Sequence, residues 1–296
     1  MLSVSHNIYL FQMEPIFQEY FKNVEVYDEQ AEQAPAKSEV DTLQAFLSGN
    51  LPANQAAQLL ARRSAQPSST LTRKLRMSML WSFINNTAVA LPSTQSLVID
   101  LIQAIRKSKP EGERAGVRNS EDNWSTLGTW LNKWGDSINN YESGYLWPES
   151  ENGAEAILWP RVAAYSARLV ATRDPVIGDS FFILRCCPSI VRALDTDQAL
   201  QYEQYRPDII AAAQLFILSP RELLERSQAE DSIEWLAGDH IKGNVLWPGD
   251  ITQLSVERWK HWKTRWQTII ESETLEGGTK KLASKSLNGM NLADSN

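Results

Sequence analysis

Residues Ala154 to Thr172 read AEAILWPRVAAYSARLVAT. Apolar side chains return at steps of three and four, the period of a helix face, and few positions are charged. Trp147 and Trp159 flank the start of this stretch, each inside the tripeptide Leu-Trp-Pro. A helix this apolar belongs at the centre of a bundle, so the rest of the chain is searched for helices to surround it.

The search succeeds in both directions. Upstream, residues 16–27 suit a short amphipathic helix, and 28–37 have no periodicity and read as a linker. Ser38 is an N-cap candidate for a helix bearing Val40, Leu43, Phe46 and Leu47, which Gly49-Asn50 ends. Pro52 opens the next helix, with Ala56, Leu59 and Leu60 on one face. A longer one starts near Thr70, and Thr94 to Lys107 carries Leu97, Val98, Leu101, Ile102 and Ile105. Trp124, Leu127, Trp130, Leu131, Trp134 and Ile138 place three tryptophans on one helical stripe. Downstream, Phe181–Leu194, Pro207–Ser227 with a break at Pro220, Ser255–Ser272 and a weaker Thr279–Met290 complete the set.

No stretch alternates with paired turn signals, so no significant sheet is expected. The prediction is all-α: a single globular multi-helix bundle of about ten helices. Residues 1–37 form an N-terminal helix and linker, 38–290 the helical domain and 291–296 a disordered tail. Leu-Trp-Pro recurs with its tryptophan at 147, 159 and 247. The expected reason is that each copy marks the start of a helix, where proline fits the first turn.

Composition narrows the classes. The 296 residues are enough to bury a core without disulfides, and the net charge of −7 disfavours phosphate backbones. The expected partners therefore include no nucleic acid. Cys186 and Cys187 are the two cysteines, and adjacency suits buried thiols better than a disulfide framework. The first fifteen residues lack the basic and apolar regions of a signal peptide, and no apolar run reaches the roughly 20 residues of a membrane span. A soluble, cytoplasmic protein with no membrane span is expected. Tryptophan, with eleven copies, outnumbers tyrosine and phenylalanine at eight each. That excess suits cores, interfaces and apolar pockets alike.

Three segments carry a resemblance: Leu43–Ala61 (LQAFLSGNLPANQAAQLLA), Trp159–Thr172 (WPRVAAYSARLVAT) and Arg258–Trp266 (RWKHWKTRW). They resemble a fungal family known only as domain of unknown function three-six-three-two, over most of the chain from about residue 38. The resemblance implies a helical protein, often encoded beside secondary-metabolite genes. It transfers no catalytic residue.

Most chemistries lack their signatures. There is no G-x-G-x-x-G and no G-x-x-x-x-G-K-[ST], and Gly277-Gly278-Thr279-Lys280 lacks the preceding glycine. His6, His240 and His261 have no second histidine or cysteine at ligand spacing, so no metal and no other cofactor is expected. Asp239-His240 reads as a loop dipeptide, and His261, four residues after Glu257, as a helix-surface pair. Asp195-Thr196-Asp197-Gln198 falls short of an acidic cyclase motif, and an N-cap at Asp195 or Thr196 explains it. No G-x-S-x-G is present. Arg258 to Trp266 reads as an amphipathic helix packed by its tryptophans, with a solvated basic side.

What remains is a polar row on the central helix. Arg161, Tyr165 and Arg168 stand at i, i+4 and i+7 and need acids, carbonyls or a ligand anion. Structural pairing with buried acids is one reading. The other makes these three the catalytic residues of a pocket walled by Trp124, Trp130, Trp159 and Trp247. Donors there would polarise a substrate carbonyl, each contributing on the order of 3 kcal/mol. The protein would then be a cofactor-independent enzyme of fungal secondary metabolism, a cyclase, pericyclase or isomerase acting on an apolar small-molecule substrate. The alternative is a non-catalytic helical module that binds a protein partner or an apolar ligand, with a homodimer left open.

Overall fold

The computed structural model describes residues 16–24, 35–65, 73–108, 127, 129–146, 154–201, 203–233, 241 and 244–295. These contain thirteen α-helices and no strand, with isolated bridges that include Thr196–Val245 and Ser232–Gln253. The all-α expectation therefore holds. No single helix among the described residues is long and apolar enough to cross a membrane. Backbone contacts divide the chain into two compact units, Met1–Trp134 and Gly135–Asn296.

The first unit opens with α1 (16–23), which buries Phe17 and Phe21. α2 (Lys37–Leu47) buries Val40, Leu43, Phe46 and Leu47, and Gly49, at φ 77°, follows it in the left-handed region that favours glycine. Its cap is Ala36 rather than Ser38, and the Glu39 carboxylate reaches back to accept from the Ala36 N–H at 3.0 Å. α3 (Ala53–Ala65) packs on α2 and on α5 (Gln95–Lys107). α4 (Arg73–Ala90) hides Met77, Leu80, Trp81, Ile84 and Ala88 on one face, with Phe83 and Val89 buried to either side of it.

α6 (Trp130–Leu146) begins later than its periodicity suggests. Leu127 sits at φ 58°, outside the helix, and its carbonyl accepts from the Trp130 N–H. Trp124 lies outside the described residues. The division between the units falls within α6, after Trp134.

The second unit is built on α7 (Ala154–Ala171) and α10 (Arg206–Leu218), which lie against each other. α10 also meets α8 (Phe181–Ile190), the short α9 (Gln198–Gln201), α11 (Pro220–Gln228) and α13 (Gly277–Asp294). It is apolar all round, as its position requires, with Ile209, Ala211, Ala212, Ala213, Leu215 and Phe216 buried. α12 (Val256–Glu271) packs on α13. Ser255 caps it, accepting from the Arg258 N–H at 3.1 Å. α13 runs on to Asp294, through the start of the segment expected to be a disordered tail.

Leu-Trp-Pro does not mark helix starts. Trp159 and Pro160 lie well inside α7, and Trp247 and Pro248 lie in an extended loop before α12. Leu146 is the last residue of α6. The two copies that are described in full therefore stand in different backbone settings.

Candidate functional site

α8 does not end as an ordinary helix. Pro188 lacks the N–H of a regular rung, and shortly after it the chain widens into a π-helical turn, Val191–Asp195. All five residues of that turn are buried. Two of them are charged, Arg192 and Asp195, and each anchors a separate network.

Arg192 meets Asp208 of α10 through two parallel bonds, Nε to Oδ2 and Nη2 to Oδ1, both 3.0 Å. Asp208 also accepts from the Tyr145 hydroxyl at 3.0 Å, and Glu142 stands 3.5 Å from Arg192. Ser189 accepts from the Trp159 indole N–H at 2.7 Å, and the Trp159 and Tyr145 rings stack at 6.2 Å. Burial works against the Arg192 charge, but Asp208 beside it holds its pKa above the ordinary value. Burial raises the Glu142 carboxyl, with Arg192 drawing it back down. This network is closed and reads as a staple between α6, α8 and α10.

Asp195 faces α12. Arg258 donates to its Oδ2 from Nε at 3.0 Å and from Nη2 at 2.6 Å, and the Trp262 indole donates to Oδ1 at 2.8 Å. His261 Nε2 lies 3.6 Å from the same Oδ1, an ion-pair distance without a hydrogen bond. Burial pushes the Asp195 carboxyl up, and Arg258 pulls it down. The backbone takes part as well: the Asp195 carbonyl accepts from the N–H groups of Leu246 and Trp247. One residue thus ties α12 to the loop 244–250.

That loop covers His261. The Trp247 ring lies 5.3 Å from the imidazole, tilted by 49°. Its indole donates to the Asp250 carbonyl at 3.3 Å, and a Cβ on Gly249 would stand 2.8 Å from the indole nitrogen, so only glycine fits beneath it. Val245 is 50% exposed and Leu246 38%, which adds apolar surface. Among the described tryptophans Trp247 alone is not buried. His261 keeps 18% of its side chain exposed, and burial lowers its pKa below 6.5, with Asp195 opposing. It is therefore neutral near pH 7 and free to take up a proton.

The residues singled out from sequence are scattered. Tyr165 is fully buried, its hydroxyl pKa raised by burial. Arg161 and Arg168 are half-buried, and the Arg168 Nε has no acceptor. Trp159 belongs to the Arg192 network. Trp130 belongs to the first unit, where its indole donates to Asn85 at 3.2 Å. Of the described members of the proposed wall, Trp247 is the one with exposed surface beside a titratable group. His261 lies beside Asp195 and not Glu257, and Arg258 is fully buried, while Lys260 is exposed on the basic side of the helix. Asp195, expected as an N-cap, is the centre of the cluster. The Thr196 hydroxyl accepts from the Gln198 N–H at 3.2 Å, but the carbonyl that starts the short helix Gln198–Gln201 is that of Asp197, so neither Asp195 nor Thr196 is its N-cap.

Sequence could have pointed to α12 in one respect. Arg258, His261 and Arg265 recur at i, i+3 and i+7, a charged stripe beside the tryptophans. No local signal links that stripe to Asp195, more than sixty residues earlier. Cys186 and Cys187 are buried free thiols as expected, Cys186 pushed up to about 12 by burial. Asp239 and His240 lie outside the described residues. Among the described residues no group of three or more His, Cys, Asp or Glu could hold a metal ion.

No curated protein and no solved structure matches the chain. A family model matches residues 81–266, more than half of the chain, taking in α7, the π turn and the stripe on α12. The segment Leu43–Ala61 lies before the match. By that match the chain belongs to the family described as a protein of unknown function, DUF3632.

Proposed function

We propose that the protein is a cofactor-independent enzyme that isomerises or cyclises an apolar small molecule by acid–base catalysis, with His261 as the proton carrier. One observation carries this reading. A histidine with its Nε2 turned to a buried carboxylate 3.6 Å away lies under a part-exposed tryptophan in an apolar loop. Trp247, Val245 and Leu246 offer the substrate an apolar surface, and the accessible part of the imidazole offers a base.

His261 takes a proton from an acidified carbon of the substrate. The electron pair left behind then closes a ring onto an electrophilic carbon, or shifts along the molecule. The imidazolium is stabilised by Asp195 and returns the same proton to the product. Arg258 and Trp262 keep the Asp195 carboxylate in place. A setting in fungal secondary metabolism is part of the proposal and rests on the family resemblance.

The test is to incubate the protein with an extract of a producing strain that lacks its gene. A metabolite should be consumed and an isomer of equal mass should appear. His261→Gln should lower that conversion about 100-fold or more, the low end of general acid–base contributions, while folding normally. Equal conversion by wild type and His261→Gln would remove the acid–base role. No conversion at all, together with a co-purifying protein, would favour the binding-module reading.

A further inference from the structure

Arg265 is a cation that the acid–base reading leaves unused. Its Nε donates to the Leu194 carbonyl at 3.0 Å, while its Nη2 is buried with no acceptor. Burial lowers its pKa, with Asp195 and Asp197 drawing it back, yet neither carboxylate bonds it. The oxygens of Asp195 are occupied by Arg258 and Trp262. Those of Asp197 are occupied by the Asn244 backbone and side chain and by Gln201.

Several arginines of this unit are matched, while Arg168 of α7, like Arg265, keeps a buried nitrogen without an acceptor. Arg173, Arg192, Arg226 and Arg258 each have an acid within ion-pair distance. Arg265 has none among the described residues. A part-buried guanidinium with an empty donor edge and no acid is costly unless an anion completes it. Its planar fork suits a carboxylate, which accepts two parallel N–H bonds. His261 stands one helical turn earlier on the same face, and Trp247 lies against His261.

We infer that Arg265 is the anion-recognition residue of this site and that the molecule bound there is an apolar carboxylic acid. This deepens the reading of the His261 site and rests on it for location. The carboxylate seats on the Nη edge of Arg265, and the apolar body lies along Trp247, Val245 and Leu246. The acid group is then held one helical turn from the base, which sets which carbon is presented to His261.

The test uses the full chain with decanoate and, as the uncharged counterpart, 1-decanol, measured by titration calorimetry and by the change in tryptophan fluorescence that Trp247→Phe removes. Decanoate should bind at least about ten-fold more tightly than decanol, the ratio expected for a charge-assisted pair. Arg265→Gln should bring decanoate to the level of decanol, and Arg265→Lys should restore part of the difference. Arg221→Gln, at an exposed arginine of α11, should change neither. Equal binding of the two probes to the wild type overturns the inference, as does full decanoate affinity in folded Arg265→Gln. If Arg265→Gln does not fold, the wild-type comparison and Arg265→Lys decide.

The two readings can fail separately. Arg265-dependent decanoate binding without any metabolite conversion leaves the anion site standing and removes the catalysis. Conversion that needs His261, with decanoate bound no better than decanol, does the reverse.

Discussion

Asp195 is fully buried, and Arg258 and Trp262 bond its carboxyl oxygens from two sides. A buried pair like this adds little net stability over an apolar pair of the same shape, but removing one partner strands the other. Arg258→Ala and Asp195→Ala should each cost about 3–5 kcal/mol, read as a lower urea midpoint. The double change Asp195→Ala with Arg258→Ala should cost far less than the sum of the two single changes. Additive losses in that cycle would show that the pair is not coupled. Residue identity thus acts here through partners that the chain supplies from far away.

At the scale of elements, close approach and register decide the outcome. Gly289 of α13 faces α10 so closely that a Cβ would stand 2.4 Å from the Phe216 carbonyl oxygen. Glycine in a helix interior is otherwise unfavourable, so its value here is the short distance between the two helices. Gly289→Ala should lower stability by about 1–3 kcal/mol despite alanine's better helix propensity, because α13 must shift outward. A raised melting temperature in that variant would contradict the close packing. The π turn is the second case. The wider turn leaves both Arg192 and Asp195 buried, one bonded to α10 and the other to α12.

For the whole molecule, pH acts through His261. Burial holds its folded pKa below the unfolded value of 6.5, so above that pH both states are neutral and its contribution is complete. As pH falls below 6.5 the unfolded chain takes up the proton first, and stability is lost. The loss is at most about 1.4 kcal/mol per pH unit. Glu142 and Asp195, raised by burial, act in the opposite direction at acid pH, so the variant comparison isolates the histidine. Between pH of about 8 and about 5.5, wild type should lose more stability than His261→Gln in urea titrations. Parallel losses would mean that His261 is not desolvated.

What could be read from the chain alone follows the range of the interaction that determined it. Helix periodicity is local, so α7, α10 and α12 and their apolar stripes could be read in order. Trp259, Trp262 and Trp266 are buried as their spacing indicates. Leu-Trp-Pro misled, because a tripeptide does not specify the backbone around it. The polar row Arg161, Tyr165 and Arg168 was visible, but its spacing carried no information about depth: Tyr165 is in the core and both arginines are half-buried. By itself, then, the sequence determined the helices, their apolar faces and the family. Only the tertiary structure decided which charges lie inside, because a side chain's burial depends on neighbours such as Asp195 and Arg258 that meet only when distant helices pack.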